Sequence, residues 1–311
     1  MEAEIVKVEN TALTATISND LLASFINFID VAEKSVETYE RALAQMFYFF
    51  QDNGISQPTR EDIVAYREHL KASGHKPTTI QNYITACKLF FEWTAQEGIY
   101  PDIAEHLKGA KLSREHKKDY FTSKQVKRIL DGVKSDTLKG KRDYAIIALM
   151  VTGGLRTIEV QRADIEDLRT LGNDTVLYIQ GKGRAEKADY VKISAPVEAA
   201  IREYLKARGK TAPTEPLFTS ASNHNNGGRM DTRSISRIAK EAFKKAGYDS
   251  SRLTAHSLRH TAVTLSLLAG KDITEVQQFA RHTNISTTMI YNHALDKAKN
   301  SCSAAITEAI F

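Results

Sequence analysis

The sequence predicts a mainly α-helical protein of two domains, with a small β-sheet or hairpin in the second domain. Along most of the chain, apolar residues recur at intervals of three and four, which is typical of amphipathic helices. Residues 174–193 instead form two β-rich segments around a glycine-rich basic turn. The two parts also differ in charge: residues 1–112 carry 10 Lys and Arg against 16 Asp and Glu, and residues 113–311 carry 33 against 22.

An N-terminal helical bundle is predicted over residues 18–108. Four helices are predicted, because each apolar repeat begins after a polar capping residue or at a proline and most end at a glycine. The starts are Ser18-Asn19-Asp20, Ser35, Thr59 and Pro77, and the ends include Asn53-Gly54, Ser73-Gly74 and Gly98. The aromatic residues of these helices are predicted to form a core rather than a base-stacking surface. Residues 1–17 are expected to be a loose leader.

A charged segment separates this bundle from the second domain. Residues 109–119 have no amphipathic pattern, so they are expected to be a linker, either simply solvated or lying along a nucleic-acid backbone. Residues 120–311 are expected to form the second domain, with further helices on both sides of the β-rich segment. The apolar face between Ala304 and Ile310 is too short for a domain and could fill a groove of a neighbouring subunit.

Composition excludes several classes of protein. No run of eighteen apolar residues occurs and the N-terminal sequence is acidic, so neither a membrane span nor a signal peptide is predicted, and a cytoplasmic location is expected. Cys87 and Cys302 form no CxxC pair, which argues against a disulfide framework or a cysteine zinc site. The basic second part is typical of proteins with a phosphate-rich partner, although solvated surface charges would give the same count.

Residues suited to phosphate chemistry gather towards the end of the chain. His256 and Arg259 are three positions apart, so a helix would place them on one face, where an imidazole and a guanidinium could bind a phosphate. His282 adds another imidazole and Tyr291 a candidate phenol nucleophile.

Two further basic residues lie upstream. Arg156 follows Gly153-Gly154, where the backbone can approach a ligand closely. Lys182 lies in the glycine-rich turn, which lacks the GxxxxGK[ST] pattern of a P-loop, and could protonate a leaving 5′-oxygen. The sequence shows no carboxylate cluster and no Cys/His quartet for metal ions, so we expect a reaction with no metal and no cofactor.

Together these residues could cleave a phosphodiester. Arg156 and Arg259 would neutralise the non-bridging oxygens, and His282 would donate a hydrogen bond to the same oxygens. Tyr291 would attack the phosphorus to give a phosphotyrosine, with His256 accepting or relaying its proton. Because a covalent intermediate conserves the bond energy, strands could be rejoined without ATP.

The order and spacing of these motifs resemble the tyrosine recombinases, the phage integrase and Xer family. The motifs read GGLRTIE, GKG, HSLRH and RHTNISTTMIYNH, and the resemblance covers nearly the whole chain. It assigns catalytic positions to Arg156, Lys182, His256, Arg259, His282 and Tyr291. In one departure, Arg281 stands where the family usually has glycine, and it is expected to add charge and bulk beside the site while leaving the histidine in place.

The resemblance also implies an architecture and partners. It implies a two-domain clamp on double-stranded DNA, with an N-terminal SAM-like core-binding domain and a C-terminal catalytic domain that ends in an exchange helix. A homotetramer, formed on specific recombination sites from monomers or weak dimers, would exchange strands through a 3′-phosphotyrosyl intermediate and a Holliday junction. Accessory proteins are left open and no membrane partner is expected. The chain's size suits an Xer-like or mobile-element recombinase.

Two other functions share parts of this pattern. A type IB topoisomerase would use the same chemistry to relax DNA as a monomer, and a non-catalytic DNA-binding regulator would keep the fold without the chemistry. The separate small bundle and the tail helix favour a recombinase over a topoisomerase. All six catalytic positions of the family pattern carry the expected residue types, which favours an enzyme over a regulator.

Overall fold

The computed structural model describes residues 19–31, 33–111, 119–181, 186–299 and 302–310. It confirms a mainly helical protein with a small antiparallel sheet. The chain divides into two compact units, Met1–Ser113 and Arg114–Phe311, and each unit has its own hydrophobic core. No described helix combines the length and the apolar character needed to cross a lipid bilayer.

The first unit contains four helices, α1 (Asn19–Phe28), α2 (Glu33–Asp52), α3 (Arg60–Ala72) and α4 (Pro77–Gln96). Thr59 caps α3, with its backbone N–H donating to the Asp62 carboxylate, and Pro77 lies in the first turn of α4, as predicted. α2 begins two residues before the predicted Ser35. The aromatic side chains form a core, as expected, and those in contact with Phe90 are Phe25, Phe47, Phe91 and Trp93.

The second unit contains nine described helices and a short 3₁₀ turn, Ile165–Asp167. The helices are α5 (Ser123–Val133), α6 (Leu138–Gly153), α7 (Thr157–Arg162), α8 (Ala195–Arg208), α9 (Thr232–Lys245), α10 (Ala255–Leu268), α11 (Ile273–Ala280), α12 (Ile285–Lys299) and α13 (Cys302–Ile310). α6 is buried on nearly every side from Ala145 to Val151, as its continuous apolar sequence predicts. α10 packs against α6, α9, α11 and α12. Its residues therefore lie close both to α6, which precedes the candidate site residues in the sequence, and to α11 and α12, which contain or adjoin the last of them.

The sheet is larger than the predicted hairpin. It has three antiparallel strands in the order β1 (Leu168–Leu171), β2 (Asp174–Ile179) and β3 (Asp189–Ile193). β2 and β3 fall within the β-rich segment that the sequence indicates, whereas β1 was not predicted. β1 has only four residues, three of them exposed, so it lacks the apolar alternation that identifies a half-buried strand.

Lys182 lies outside the described residues, between β2 and β3. The described residues on either side of it are anchored to the last residue of α7 and to the segment that follows α7. Arg162 donates to the Gly181 carbonyl at 3.2 Å, and the Lys187 ammonium pairs with Asp164 at 2.6 Å and with the buried Asp167 at 2.5 Å.

Candidate active site

The turn between α6 and α7 brings Arg156 into the site. Gly154 ends α6 with φ +58, a conformation that glycine adopts readily, and an added Cβ would lie 3.2 Å from the Phe279 ring. Arg156 is extended (φ −81, ψ 153) and caps α7. Its backbone N–H donates to Glu159 Oε2 at 2.8 Å, and its Nη1 donates to Glu159 Oε1 at 2.8 Å. The GGLRTIE motif is therefore a turn and a helix cap built around one carboxylate.

Arg259 joins this turn to the turn between α11 and α12. Its side chain is buried, its Nη1 donates to the Gly154 carbonyl at 2.6 Å, and its Nη2 donates to the Ala280 carbonyl. Burial, followed by the charges of Arg156 and Arg281, lowers the pKa of Arg259 to about 9. The guanidinium therefore stays charged at neutral pH, but it is held close to like charges.

His282 is the second residue after the end of α11. Its Nδ1 shares a 2.9 Å hydrogen bond with the hydroxyl of the buried Thr288. Partial burial lowers the pKa of His282 to about 4, and the positive charges of Arg259 and Arg156 add to this effect. At neutral pH the imidazole is therefore uncharged and acts as a hydrogen-bonding group rather than as a cation.

Tyr291 is buried in α12 and packs against α10 and α11. Its hydroxyl is hydrogen-bonded to Nδ1 of His260, and its ring lies 6.3 Å from the His282 ring at an interplanar angle of 18°. Burial raises the pKa of Tyr291 to about 12, against the opposing effect of Arg259 and Arg156. The phenol is therefore protonated in the free protein and must lose a proton in order to act as a nucleophile.

The exposed His256 lies at the edge of this group. Its ring packs edge-on against His260, with the centroids 4.5 Å apart, so His260 lies between His256 and the phenol of Tyr291. A cavity of about 540 Å³ is bordered by His256, Arg156 and Lys240, which gives a charged ligand access to this side of the site.

The structure brings together five of the six residues singled out in the sequence: Arg156, His256, Arg259, His282 and Tyr291. The sixth, Lys182, lies outside the described residues. Three further residues contribute to the site: Glu159, His260 and Arg281. The sequence assigned no role to Glu159 or His260, and of Arg281 it predicted only added charge and bulk beside the site. A signal existed for Glu159, three residues after Arg156, and for His260, one helical turn after His256. Within the described part of the chain, no three His, Cys, Asp or Glu side chains gather as metal ligands would.

Comparison with known proteins assigns the chain to a family. Residues 119–298 match the phage integrase family, and residues 20–99 match the N-terminal SAM-like domain of phage integrases. A tyrosine recombinase of Synechocystis is 30% identical over 249 residues, covering 80% of this chain and 77% of the relative. The tyrosine recombinase XerA of Pyrococcus horikoshii is 30% identical over 291 residues, covering 91% of this chain and 95% of the relative.

Solved structures share the fold. The XerH recombinase, solved with its palindromic difH substrate after cleavage, has a TM-score of 0.72 at 20% identity and covers 88% of this chain and 80% of its own. The Tn1549 transposon integrase, solved with transposon right-end DNA, has a TM-score of 0.70 at 20% identity and covers 88% and 93%.

This chain belongs to the phage integrase family of tyrosine recombinases. It is accordingly a DNA strand-transfer enzyme whose function is site-specific recombination, and neither a topoisomerase nor a non-catalytic regulator is favoured.

Proposed function

We propose that this recombinase cleaves and rejoins double-stranded DNA through a 3′-phosphotyrosyl intermediate on Tyr291. The observation that carries the proposal is the position of the Tyr291 hydroxyl. It is buried, bonded to His260, stacked beside His282 and close enough to Arg259 and Arg156 for their charges to affect its pKa. A phenol among two imidazoles and two guanidinium groups suits attack on a phosphodiester.

Each residue then has a role in the transfer. The Tyr291 oxygen forms a bond to phosphorus while the bond from phosphorus to the 5′-oxygen breaks. Arg156 and Arg259 neutralise the non-bridging oxygens, and the uncharged His282 donates a hydrogen bond to them. Lys182 donates the proton that the departing 5′-oxygen requires. Rejoining reverses these steps, with the 5′-hydroxyl displacing the tyrosine.

His260 is the proposed first acceptor of the tyrosine proton. Its Nδ1 is already bonded to the phenol, and the exposed His256 packs against its ring. His256 then exchanges the proton with solvent or with the DNA, which preserves the relay role that its motif suggests.

The proposed assembly uses both domains. Residues 18–108 form the core-binding domain, residues 109–119 the linker, and residues 120–311 the catalytic domain, which together form a clamp on DNA. Four protomers hold two recombination sites, and strand exchange between these sites passes through a Holliday junction. The reaction takes place at the nucleoid, in the cytoplasm, with accessory proteins where the site requires them. Exposed apolar residues on α13 support its role as the exchange helix, with Ile306 58% and Ile310 67% accessible.

Covalent capture tests the proposed chemistry. The protein is incubated with nicked duplexes of randomised sequence, and duplexes linked to protein after denaturation are recovered and sequenced. We expect a preferred sequence to be captured by the native chain and no capture by Tyr291→Phe. An adduct that survives this substitution, or no adduct from the native chain, would contradict the proposal.

Binding of the protein to DNA should weaken steeply as the salt concentration rises, because binding releases counterions from the DNA.

A relaxation assay separates the recombinase from the topoisomerase alternative. Supercoiled plasmid without the captured sequence should remain supercoiled in the presence of the native chain. A plasmid carrying two captured sites should instead give recombinant products whose yield rises steeply with protein concentration, as tetramer assembly requires. Rapid relaxation of the site-free plasmid by isolated protomers would favour the topoisomerase.

A further inference from the structure

Arg281 occupies a backbone conformation that glycine would adopt more easily. It ends α11 in the left-handed region, with φ 53 and ψ 44, and its N–H donates to the Gln278 carbonyl at 2.9 Å. The Cβ of an L-residue is crowded in this conformation. An arginine here therefore needs contacts that compensate for the strain, and its side chain shows what they are.

The guanidinium of Arg281 reaches back to the turn between α6 and α7. Nη2 lies 3.0 Å from Glu159 Oε2 and donates to the Gly154 carbonyl at 3.0 Å. Nη1 donates to the Phe279 carbonyl at 2.8 Å. Only 10% of the Arg281 side chain and 1% of the Glu159 side chain are accessible, so this ion pair is shielded from solvent.

Glu159 is consequently shared by two arginines. Oε1 faces the Arg156 guanidinium, whereas Oε2 accepts both the Arg156 N–H and the Arg281 guanidinium. Burial raises the pKa of Glu159, but Arg281, followed by Arg156, more than reverses this effect and leaves the pKa below its usual range. Arg281 is thus a principal partner of this carboxylate.

We propose that Arg281 is a positioning residue that neutralises Glu159, so that the Arg156 guanidinium can turn from the carboxylate to the phosphodiester. This inference rests on the proposed function. Without Arg281, the full charge of Glu159 would face Arg156 alone and compete with the phosphate for it. The contacts of Arg281 with the α6–α7 turn also hold His282, the next residue, beside Arg156.

The test measures single-turnover adduct formation on a nicked duplex captured by the native chain. Arg281→Gly should slow cleavage about 10- to 100-fold, the scale of a misplaced catalytic group, while DNA affinity changes little. Adding Glu159→Gln should restore at least about tenfold, because the amide carries no charge to compete for Arg156 but still accepts its N–H. Millimolar guanidinium should also accelerate Arg281→Gly. A merely structural role would instead predict that the second substitution adds to the damage.

Matched controls separate charge from folding. Arg208→Ala removes another arginine–glutamate pair of the same unit, with Glu215, and should cleave at the native rate. If circular dichroism shows that Arg281→Gly is unfolded, Arg281→Lys and Arg281→Met are compared instead. These two variants share the backbone strain, and Arg281→Lys should cleave faster than Arg281→Met. Native-like cleavage by Arg281→Gly, or equal rates for lysine and methionine, would overturn this inference alone. No adduct from the native chain would overturn the proposed function as well.

Discussion

Replacing His282 with glutamine should make the stability of the protein less sensitive to acid. The pKa of His282 is about 4 in the folded protein, against an ordinary value of 6.5, because of its burial and the nearby Arg259 and Arg156. Between these values the unfolded chain binds a proton that the folded protein does not bind. The contribution of His282 to the free energy of unfolding is therefore fully present above pH 6.5 and is lost as the pH falls from 6.5 towards 4.

The expected loss follows from the separation of the two pKa values. The interval from 6.5 to about 4 corresponds to about 3 kcal/mol at about 1.4 kcal/mol per pH unit. His282 is only partly buried, so solvent screening reduces the expected figure to about 2 kcal/mol. Glutamine can still form a hydrogen bond with the Thr288 hydroxyl and does not titrate, which makes it the appropriate substitution.

Urea unfolding at several pH values between about 4.5 and 7.5 measures this difference. Far-ultraviolet circular dichroism is the suitable probe, since the chain's one tryptophan, Trp93, lies in the other unit. Other titrating groups cancel when the variant is subtracted from the native protein at each pH. A stability difference that stays constant across this range would show that His282 is not held neutral, and the reasoning from its burial and from the nearby arginines would fail.

Three further substitutions test separate parts of the site. Because the pKa of Tyr291 is about 12, native stability should fall as the pH rises from 10 to 12, and Tyr291→Phe should reduce this loss in alkaline urea titrations. Gly154→Ala should lower stability by about 1–3 kcal/mol in urea titrations, because a Cβ is strained at φ +58 and meets an aromatic ring at 3.2 Å. Lys187→Met should lower stability by about 1–3 kcal/mol in the same assay and slow strand cleavage, because it leaves the buried Asp167 without its cation.

The predictions for Gly154 and Lys187 each have a matched control. Gly172→Ala shares a left-handed backbone (φ +61) but meets no neighbour, so it should cost less than Gly154→Ala; equal costs would contradict the argument from packing. Lys192→Met removes an exposed pair with Asp174 and should change neither stability nor cleavage measurably. An effect as large as that of Lys187→Met would contradict the anchoring role of Lys187.

The helices could be predicted from the sequence because their signals are local. A period of 3.6 residues and a capping residue such as Thr59 or Thr122 lie within one or two turns of the helix they specify. α7 is only six residues long, too short to show a period, and β1 is stabilised by pairing with β2 rather than by its own composition. These elements depend on partners that a local pattern does not reveal.

The site divides in the same way. The motifs identify the residue types, and the cap of Arg156 by Glu159 could have been anticipated from their spacing of three. The contact of Arg281 with Glu159 joins residues 122 positions apart, and that of His260 with Tyr291 joins residues 31 apart. No periodicity predicts such contacts, because they depend on how α10 packs against α6, α11 and α12.

Electrostatics explains why so many basic groups can share this site. Arg156, Arg259 and Arg281 face one buried carboxylate, Glu159, so the free site has an excess of positive charge. Burial, and after it this excess charge, lowers the pKa values of Arg259 and His282. Bringing these charges together costs free energy during folding. A phosphodiester would relieve that repulsion, and the relief would be greatest when negative charge builds up on the phosphoryl oxygens in the transition state. The same repulsion that weakens the free fold thus favours the proposed reaction.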